Sequence, residues 1–428
     1  MKIKLQLLMV SIVLSVLLVG CDKPTASNRF FKDQPYNFQT LRALGQIPYG
    51  GADTGEVLAT VKNIRETDDE SWYLGWSHTA ERVEKMARNL KDPVSRGRAL
   101  LRAHNYYRTA EFFLHPKDHR RKENFHKSLA AFHEGLDTLG VKYRIITIPY
   151  SEHTLKAIYY PGPAGAEKKP LIVSVGGYDS TLEELYFASA APALERGYSC
   201  LTYEGPGQGS VIREQGLLFT YEWEKPNKAV LDAFLKQYPK PKKIVLIGRS
   251  LGGYLAPRAA AFEPRVDGVV AFGVCYDFQE AALRQLPKFM KVLYEKWLYQ
   301  EKYAGILNAL VGLKMKAVPA VRWGVQNAQW TMGVKDPAEL MVAFKNYNLK
   351  EISAKITCDV LILAGERDHF SPTRQVEEFS KKLINARSVT SRIFTDDEGG
   401  AEHCQVDAVL LADSVLYDWI RDKFEKQG

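Results

Sequence analysis

The chain has 428 residues, of which 46% are hydrophobic and 25% are charged, so it is long and apolar enough to bury a large core and to carry a catalytic domain with a second structural element. Its 58 basic and 50 acidic residues give a formal charge of +8, but Lys and Arg are interleaved with Asp and Glu and form no basic block. We therefore expect no nucleic-acid partner.

The first 20 residues have the layout of a signal peptide. Two lysines precede an apolar stretch from Leu5 to Val19 that is too short for an ordinary membrane-spanning helix, and "LVGC" ends the segment at Cys21. That ending resembles the bacterial lipobox, whose cysteine becomes lipid-modified. We predict lipidation at Cys21, a polar tether over residues 21–37 and attachment to a bacterial envelope membrane, with Asp22 favouring the inner membrane. An uncleaved anchor with an incidental cysteine is the alternative.

Residues 38–140 predict a helical region. Apolar and aromatic residues recur at helical spacing in "SWYLGWSHTAERVEKMARNL". The segment "DPVSRGRALLRAHNYYRTAEFFL" starts with Asp-Pro, which is typical of a helix start, and "KENFHKSLAAFHEGLDTLG" stops at Gly140, which is typical of a helix end. Three amphipathic helices are therefore expected before the first strand.

From residue 141 onward the sequence predicts an α/β fold. "KYRIITIPY" and "LKAIYYP" indicate two adjacent strands, and five further Val- and Ile-rich runs follow, most of them separated by helix-length segments: "PLIVSVGG", "YSCLTYEGPGQG", "KKIVLIGRS", "VDGVVAFGV" and "CDVLILAGERD". Such alternation indicates a mainly parallel sheet flanked by helices, here over residues 141–275 and 351–428. "SRIFTDDEGG" predicts the last strand and "CQVDAVLLADSVLYDWIRDKF" the closing helix.

Residues 276–350 interrupt this rhythm. The segment is long, helical in pattern and rich in Trp, Tyr and Phe. We predict a helical cap insertion over the C-terminal edge of the sheet, where open α/β sheets bind ligands.

The remaining cysteines occur singly, without metal-ligand spacing: Cys200, Cys275, Cys358 and Cys404. Buried free thiols are expected, although an envelope location would permit a disulfide. We predict no metal and no organic cofactor.

A candidate nucleophile is Ser250, in "GRSLG". The segment matches G-x-S-x-G, with a strand before it and a small-residue helix after it, so Ser250 would occupy the sharp turn that exposes the nucleophile of α/β-hydrolases. Gly248 and Gly252 suit a turn in which neighbouring backbone leaves no room for a Cβ. A structural serine in a glycine-rich turn is the alternative.

The base and the acid follow from the order Ser, acid, His along the chain. His403 lies just after the predicted last strand and is the predicted base, whereas six of the nine histidines lie in the N-terminal helices. Asp368 follows the penultimate strand and is preferred over Glu366 as the acid because it lies further from the strand end. Oxyanion donors are expected from the backbone N–H of Leu251 and from that of Gly177 or Tyr178.

Substrate contacts are less well defined. Glu204 and Tyr254 are candidates near the nucleophile. Aromatic residues of the helical segments either line a cap over an apolar acyl group or pack in a core: Trp76, Tyr106, Tyr107, Trp323 and Trp330.

Three stretches carry a closer resemblance: "GGYDSTLEELYF", "RGYSCLTYEGPGQGS" and "RSLGGYLAPRAAAFEPRVDGVVAFG". They resemble the α/β-hydrolase group that contains 2,6-dihydroxypseudooxynicotine hydrolase, the fungal polyketide chain-shortening hydrolases and, more distantly, the FrsA-like esterases. The resemblance implies a helical N-terminal region over the active site, a triad of Ser250, Asp368 and His403, cleavage of an ester or of a C–C bond beside a carbonyl, and homodimer formation. Glu204 stands where the group commonly has Asp.

The sequence therefore predicts an envelope-anchored serine hydrolase acting on a small-molecule carbonyl substrate. Three alternatives are an acyltransferase with the same triad, a peptidase of the prolyl-oligopeptidase type, and a catalytically silent binding lipoprotein. The helical N-terminal region disfavours the peptidase, which usually carries a β-propeller.

Overall fold

The computed structural model describes residues 29–283 and 304–425. The predicted signal peptide, Cys21 and most of the predicted tether lie outside these ranges. Within them, no helix combines the length and the apolar character needed to cross a membrane.

Five helices form the N-terminal region: α1 (Gln34–Leu44), α2 (Thr54–Val61), α3 (Asp69–Asn89), α4 (Pro93–Ala110) and α5 (His119–Thr138). Each begins after an aspartate whose carboxylate accepts a hydrogen bond from a backbone N–H of the first turn. These N-caps are Asp33, Asp53, Asp68, Asp92 and Asp118. The three predicted helices correspond to α3, α4 and α5, and the helical N-terminal region is confirmed.

The end of the predicted tether is wrong. Helix α1 begins at Gln34, and both Tyr36 and Asn37 are buried. The Tyr36 ring stacks on Phe113 at 4.6 Å and meets Trp72 edge-on at 4.9 Å. Residues 34–37 therefore belong to the packed helical region, because burial of this tyrosine ties them to α3 and to the segment after α4.

An eight-stranded sheet forms the centre, in the order β1-β2-β4-β3-β5-β6-β7-β8. The strands are β1 (Arg144–Tyr150), β2 (His153–Tyr160), β3 (Leu171–Val175), β4 (Cys200–Glu204), β5 (Ile244–Arg249), β6 (Gly268–Phe272), β7 (Asp359–Gly365) and β8 (Ser388–Phe394). β2 pairs antiparallel with β1 and β4, and all other pairs are parallel. The predicted mainly parallel α/β fold is confirmed.

Helices follow most of the strands: α6 (Ala191–Glu195), α7 (Gly209–Gln215), α8 (Glu224–Gln237), α9 (Gly252–Ala260), α10 (Phe278–Leu283), α11 (Ala304–Ala317), α12 (Pro319–Thr331), α13 (Pro337–Lys345), α14 (Arg374–Lys382) and α15 (Val409–Phe424). Both faces of the sheet are buried. Along β5, Leu246 packs into the core of one face, whereas Val245 and Ile247 pack into that of the other. This explains why the central strands read as continuous apolar runs.

Helices α10–α13 lie within the predicted cap insertion. Its two ends meet where Asp277 forms a β-bridge with Asn348. Its helix α12 contacts the N-terminal region, since Trp323 donates its indole N–H to the Phe112 carbonyl at 3.0 Å and Arg322 pairs with Asp69 at 2.7 Å. The cap and the N-terminal helices thus close over the same edge of the sheet.

Candidate active site

Ser250 occupies a strained turn between β5 and α9. Its φ is 60°, in the left-handed region, and its N–H donates to the Phe272 carbonyl of β6 at 2.9 Å. A Cβ at Gly248 would overlap the backbone of Gly252, and one at Gly252 would lie 3.0 Å from the Val175 carbonyl oxygen. The two glycines of the motif are therefore required by close backbone approach.

Ser250, His403 and Asp368 form a continuous hydrogen-bonded line. His403 lies in a short 3-10 turn (His403–Gln405) after β8, and its Nε2 is 2.8 Å from Ser250 Oγ. Its Nδ1 is 2.6 Å from Asp368 Oδ2, in the loop after β7. The N–H groups of Phe370 and Ser371 each donate to Asp368 Oδ1 at 2.8 Å, which fixes the carboxylate. The structure thus brings the three residues selected from the sequence together.

Glu366, the alternative acid, has a different role. Its carboxylate accepts the Asp396 N–H at 3.0 Å, which ties the loop after β7 to the end of β8.

The electrostatics of the pair favour an ionised carboxylate beside a basic imidazole. Burial alone would lower the pKa of His403, but the charge and hydrogen bond of Asp368 outweigh it and hold that pKa well above its usual value of 6.5. Burial would raise the pKa of Asp368, whereas His403 and the Ser371 N–H lower it below its usual range. The imidazole is therefore a stronger base than an isolated histidine.

The loop after β3, residues 176–178, lies against Ser250, and we call it the oxyanion loop after its predicted role. A Cβ built on Gly177 would be 2.7 Å from Ser250 Cβ and 2.9 Å from the Leu251 nitrogen, so the Gly177 backbone touches both residues. The Tyr178 side chain turns to the cap, where its hydroxyl donates to the Gly324 carbonyl at 3.0 Å. Leu251, Gly177 and Tyr178 all line one cavity beside Ser250.

That cavity has a volume of about 1100 Å³ and opens onto Ser250 and His403. Aromatic side chains from the N-terminal helices, the sheet loops and the cap line it, among them Phe38, Phe113, Phe278, Trp323 and Phe344. The Phe370 ring lies 4.9 Å from the His403 ring. The space next to Ser250 is therefore large and mainly apolar.

Two predicted contacts near the nucleophile lie elsewhere. Glu204 is buried at the end of β4, accepts the Ser210 N–H at 3.1 Å and contacts its hydroxyl. Burial raises the pKa of Glu204 to about 7. Tyr254 points to the other side of α9, where its hydroxyl donates to the Tyr221 carbonyl at 2.9 Å. Neither lines the cavity in the described part of the chain.

The two predicted aromatic contacts from the N-terminal helices are also wrong as cavity residues. Trp76 is fully buried in the core of that region. Tyr107 donates its hydroxyl to Glu84 at 2.6 Å, between α4 and α3. Helices α3 and α4 thus enclose these two side chains between them. Of the five aromatic residues named from the sequence, Trp323 alone is among the described residues that line the cavity.

Sequence reasoning missed several residues around the site. Phe38 and Arg42 come from α1, which lies at the start of the predicted helical region but was not among its three predicted helices. Cys404 places its Sγ 3.5 Å from His403 Nε2, and no described cysteine is disulfide-bonded. Gln208, in the quoted "EGPGQG", donates to the oxyanion loop. Of these residues, only Gln208 and Cys404 could have been found from the sequence. Gln208 lies in a motif that carries the family resemblance, and Cys404 directly follows the predicted base His403.

Residues 172–404 match the Alpha/beta hydrolase family. The chain belongs to this family. Hydrolase acrC from Aspergillus aculeatus is 33% identical over 94% of this chain and 99% of its own length. The 20-hydroxy-prefusarin hydrolase from Gibberella moniliformis is 30% identical over 93% of this chain and 98% of its own. This α/β-hydrolase is therefore similar to fungal hydrolases over nearly its whole sequence, which confirms the resemblance seen in the motifs.

The fold also agrees with a solved structure. The crystal structure of 2,6-dihydroxy-pseudo-oxynicotine hydrolase superposes with a TM-score of 0.67 over 90% of this chain and 96% of that chain, at 20% identity. This likeness supports the α/β-hydrolase fold with its helical additions. The family match and the named hydrolase relatives identify the chain as an enzyme of the α/β-hydrolase type.

Proposed function

We propose that this α/β-hydrolase is a serine hydrolase in which Ser250, His403 and Asp368 act as a triad. The observation that carries the proposal is the hydrogen-bonded line from Ser250 Oγ through His403 to the buried Asp368 carboxylate, with distances of 2.8 and 2.6 Å. A nucleophile, a base and an orienting acid in contact are the requirements of acyl transfer through a serine.

The reaction proceeds in two halves. Ser250 Oγ attacks the substrate carbonyl while its proton passes to His403 Nε2, and the backbone N–H groups of Leu251 and of the Gly177–Tyr178 loop stabilise the oxyanion. The leaving group departs with the proton from His403, which leaves an acyl-serine. Water then gives a proton to His403 and attacks the acyl carbonyl, and His403 returns this proton to Ser250 Oγ as the carboxylic acid is released.

The cavity supports a bulky apolar substrate. A space of about 1100 Å³ exceeds what a short acyl group fills, and its wall is largely aromatic. Both a carboxylic ester and a β-diketone fit this chemistry. With a β-diketone the leaving group is a carbanion stabilised by the second carbonyl, and His403 supplies the proton to its carbon.

We also propose that the protein is anchored to a bacterial envelope membrane through Cys21. The support is the sequence "LVGC" after two lysines and an apolar stretch. Expression of the full chain in a bacterium with a radiolabelled fatty acid tests it. Label in the membrane fraction that is lost in Cys21→Ala supports the anchor, whereas unlabelled wild type overturns it.

Hydrolysis of a substrate panel tests the catalytic proposal. The chain from residue 22 onward is assayed with p-nitrophenyl esters of increasing acyl length and with aryl β-diketones, beside Ser250→Ala and the control Ser388→Ala, which is remote on β8. We expect turnover of at least one class by wild type and control and none by Ser250→Ala. Products formed only with an added alcohol or amine acceptor would instead indicate an acyltransferase, and inactive but folded wild type would contradict the proposal.

A further inference from the structure

The side chain of Gln208 lies behind the oxyanion loop. Gln208 immediately precedes α7 and is buried. Its Nε2 donates to the carbonyl oxygens of Gly176 at 3.0 Å and Gly177 at 2.9 Å, so one amide group holds two consecutive peptide units. The adjacent Gly209 N–H donates to the Ser180 carbonyl at 3.2 Å. The start of α7 therefore holds both the oxyanion loop and the residues that follow it.

Holding a carbonyl also aims the N–H of the same peptide. In a trans peptide unit the C=O and the N–H point in opposite directions. The carbonyls of Gly176 and Gly177 belong to the peptide units whose N–H groups are those of Gly177 and Tyr178. Gln208 thus sets the direction of both N–H groups that are the candidates for the second oxyanion donor.

The chemistry at this position requires an amide. Gln208 Oε1 accepts the Gly205 N–H at 3.0 Å, which fixes the orientation of the amide, while both hydrogens of Nε2 are used on the loop. A glutamate could accept the Gly205 N–H but could not donate to two carbonyls. Its charge would repel them, because a buried carboxylate would face two carbonyl oxygens.

We propose that Gln208 is a positioning residue. It orients the two peptide units that carry the N–H groups of Gly177 and Tyr178, so that these N–H groups can stabilise the oxyanion. This inference rests on the proposed serine-hydrolase function. Gln208 is not among the described residues that line the cavity, so it acts through the loop and does not contact substrate.

The test compares Gln208→Glu with Gln215→Glu. Gln215 is a matched control because its side chain also bridges backbone groups. It donates to the Thr154 carbonyl at 2.8 Å and accepts the Thr154 N–H at 2.9 Å. Thr154 lies on β2, away from the site. For Gln208→Glu we expect kcat to fall by about 10²-fold, the size of losing one oxyanion donor, with KM changed less than about threefold. For Gln215→Glu we expect kcat close to wild type.

A second readout separates positioning from a general structural effect. An aryl trifluoromethyl ketone forms a tetrahedral adduct with a catalytic serine, so its affinity should fall by the same factor as kcat/KM, while the affinity for the product acid is unchanged. If Gln208→Glu does not fold, Gln208→Met is measured in its place with the same expectations, since it removes the donors without burying a charge.

The outcomes are distinguishable. Wild-type kcat retained in a folded Gln208 variant, or ketone affinity unchanged while kcat falls, overturns the positioning role alone. A wild type that neither turns over ester or diketone nor binds the ketone overturns the proposed function instead.

Discussion

Arg42, in the first helix of the N-terminal region, donates from its Nη1 to the Asp179 carboxylate at 2.6 Å. Asp179 directly follows the oxyanion loop. The same guanidinium forms two further hydrogen bonds to Glu184, each of 2.6 Å, and Arg108 of α4 contacts Asp179 at 3.2 Å. A largely buried ion network thus joins the N-terminal helices to the loop beside Ser250.

Loss of Arg42 should therefore loosen both the fold and the site. We expect Arg42→Met to lower the free energy of unfolding by about 2–4 kcal/mol, because it leaves two carboxylates without their main partner while about 15% of the Arg42 side chain is exposed. Denaturant unfolding of the variant and of Lys381→Met measures this. Lys381 pairs with Glu377 where both side chains are 70% exposed and solvent screens the charges, so the control should unfold at the same denaturant concentration as wild type. Equal stabilities of the two variants would contradict the role of the network.

The activity should fall at acid pH through the titration of His403. The raised pKa keeps His403 protonated at pH values above 6.5, and the protonated ring cannot accept the Ser250 proton. We expect kcat/KM to decline as pH falls through that pKa. Asp368→Asn removes the largest influence that raises the pKa of His403, so the acid limb should move to lower pH while kcat drops by roughly 10³- to 10⁴-fold.

A pH–rate profile of wild type, Asp368→Asn and Asp397→Asn measures these shifts. Asp397 is exposed in the loop after β8, so its variant should follow the wild-type profile. An unchanged acid limb in Asp368→Asn would show that another group controls the titration.

Gly177 should be intolerant of a side chain. A Cβ there would press on Ser250 Cβ at 2.7 Å and on the Leu251 nitrogen at 2.9 Å, so Gly177→Ala must displace the nucleophile or an oxyanion donor. We expect kcat to fall by about 10²-fold, in line with the cost of misplacing reacting groups by about 1 Å. Gly312→Ala is the control, because Gly312 lies within α11 with no described atom within 4 Å of an added Cβ. It should retain full activity and gain about 0.5–1 kcal/mol of stability.

The cavity should set the preference for acyl length. Val311 of α11 lines the cavity, whereas Leu313 on the same helix is 45% exposed. We expect Val311→Phe to lower the ratio of kcat/KM for p-nitrophenyl dodecanoate to kcat/KM for p-nitrophenyl acetate by about 10-fold or more. The phenyl ring would occupy cavity space that the longer acyl chain needs, at a cost of at least about 1–2 kcal/mol of binding. Leu313→Phe should leave the ratio unchanged. Selectivity altered equally in both variants would contradict the placement of the acyl group.

The sheet and the three residues at its edge were predictable because each is a local pattern. Apolar runs with helices between them indicate buried parallel strands, and G-x-S-x-G requires a strand on one side and a helix on the other. The order of strands then placed Asp368 and His403 at the ends of consecutive strands. Their contact in the structure follows from the parallel pairing of β7 and β8.

The cavity wall was not predictable, because it depends on how separate helices face one another. Trp76 and Tyr107 recur at helical spacing like any cavity aromatic, but α3 and α4 pack these faces together. The first turn of α1 was assigned to the tether because its sequence is polar, whereas burial of Tyr36 holds that turn in the helical region. Glu204 was placed near the nucleophile by its motif, while the backbone turns its carboxylate to Ser210.

Labelling with a fluorophosphonate shows directly whether Ser250 is a nucleophile. We expect wild type to gain one phosphonyl group, which peptide mapping places on Ser250. Neither Ser250→Ala nor His403→Ala should be labelled, although both remain folded. Ser180→Ala, a neighbouring cavity serine, should be labelled like wild type. Absence of labelling in folded wild type, or a label retained in Ser250→Ala, would contradict the assignment of Ser250 as the nucleophile.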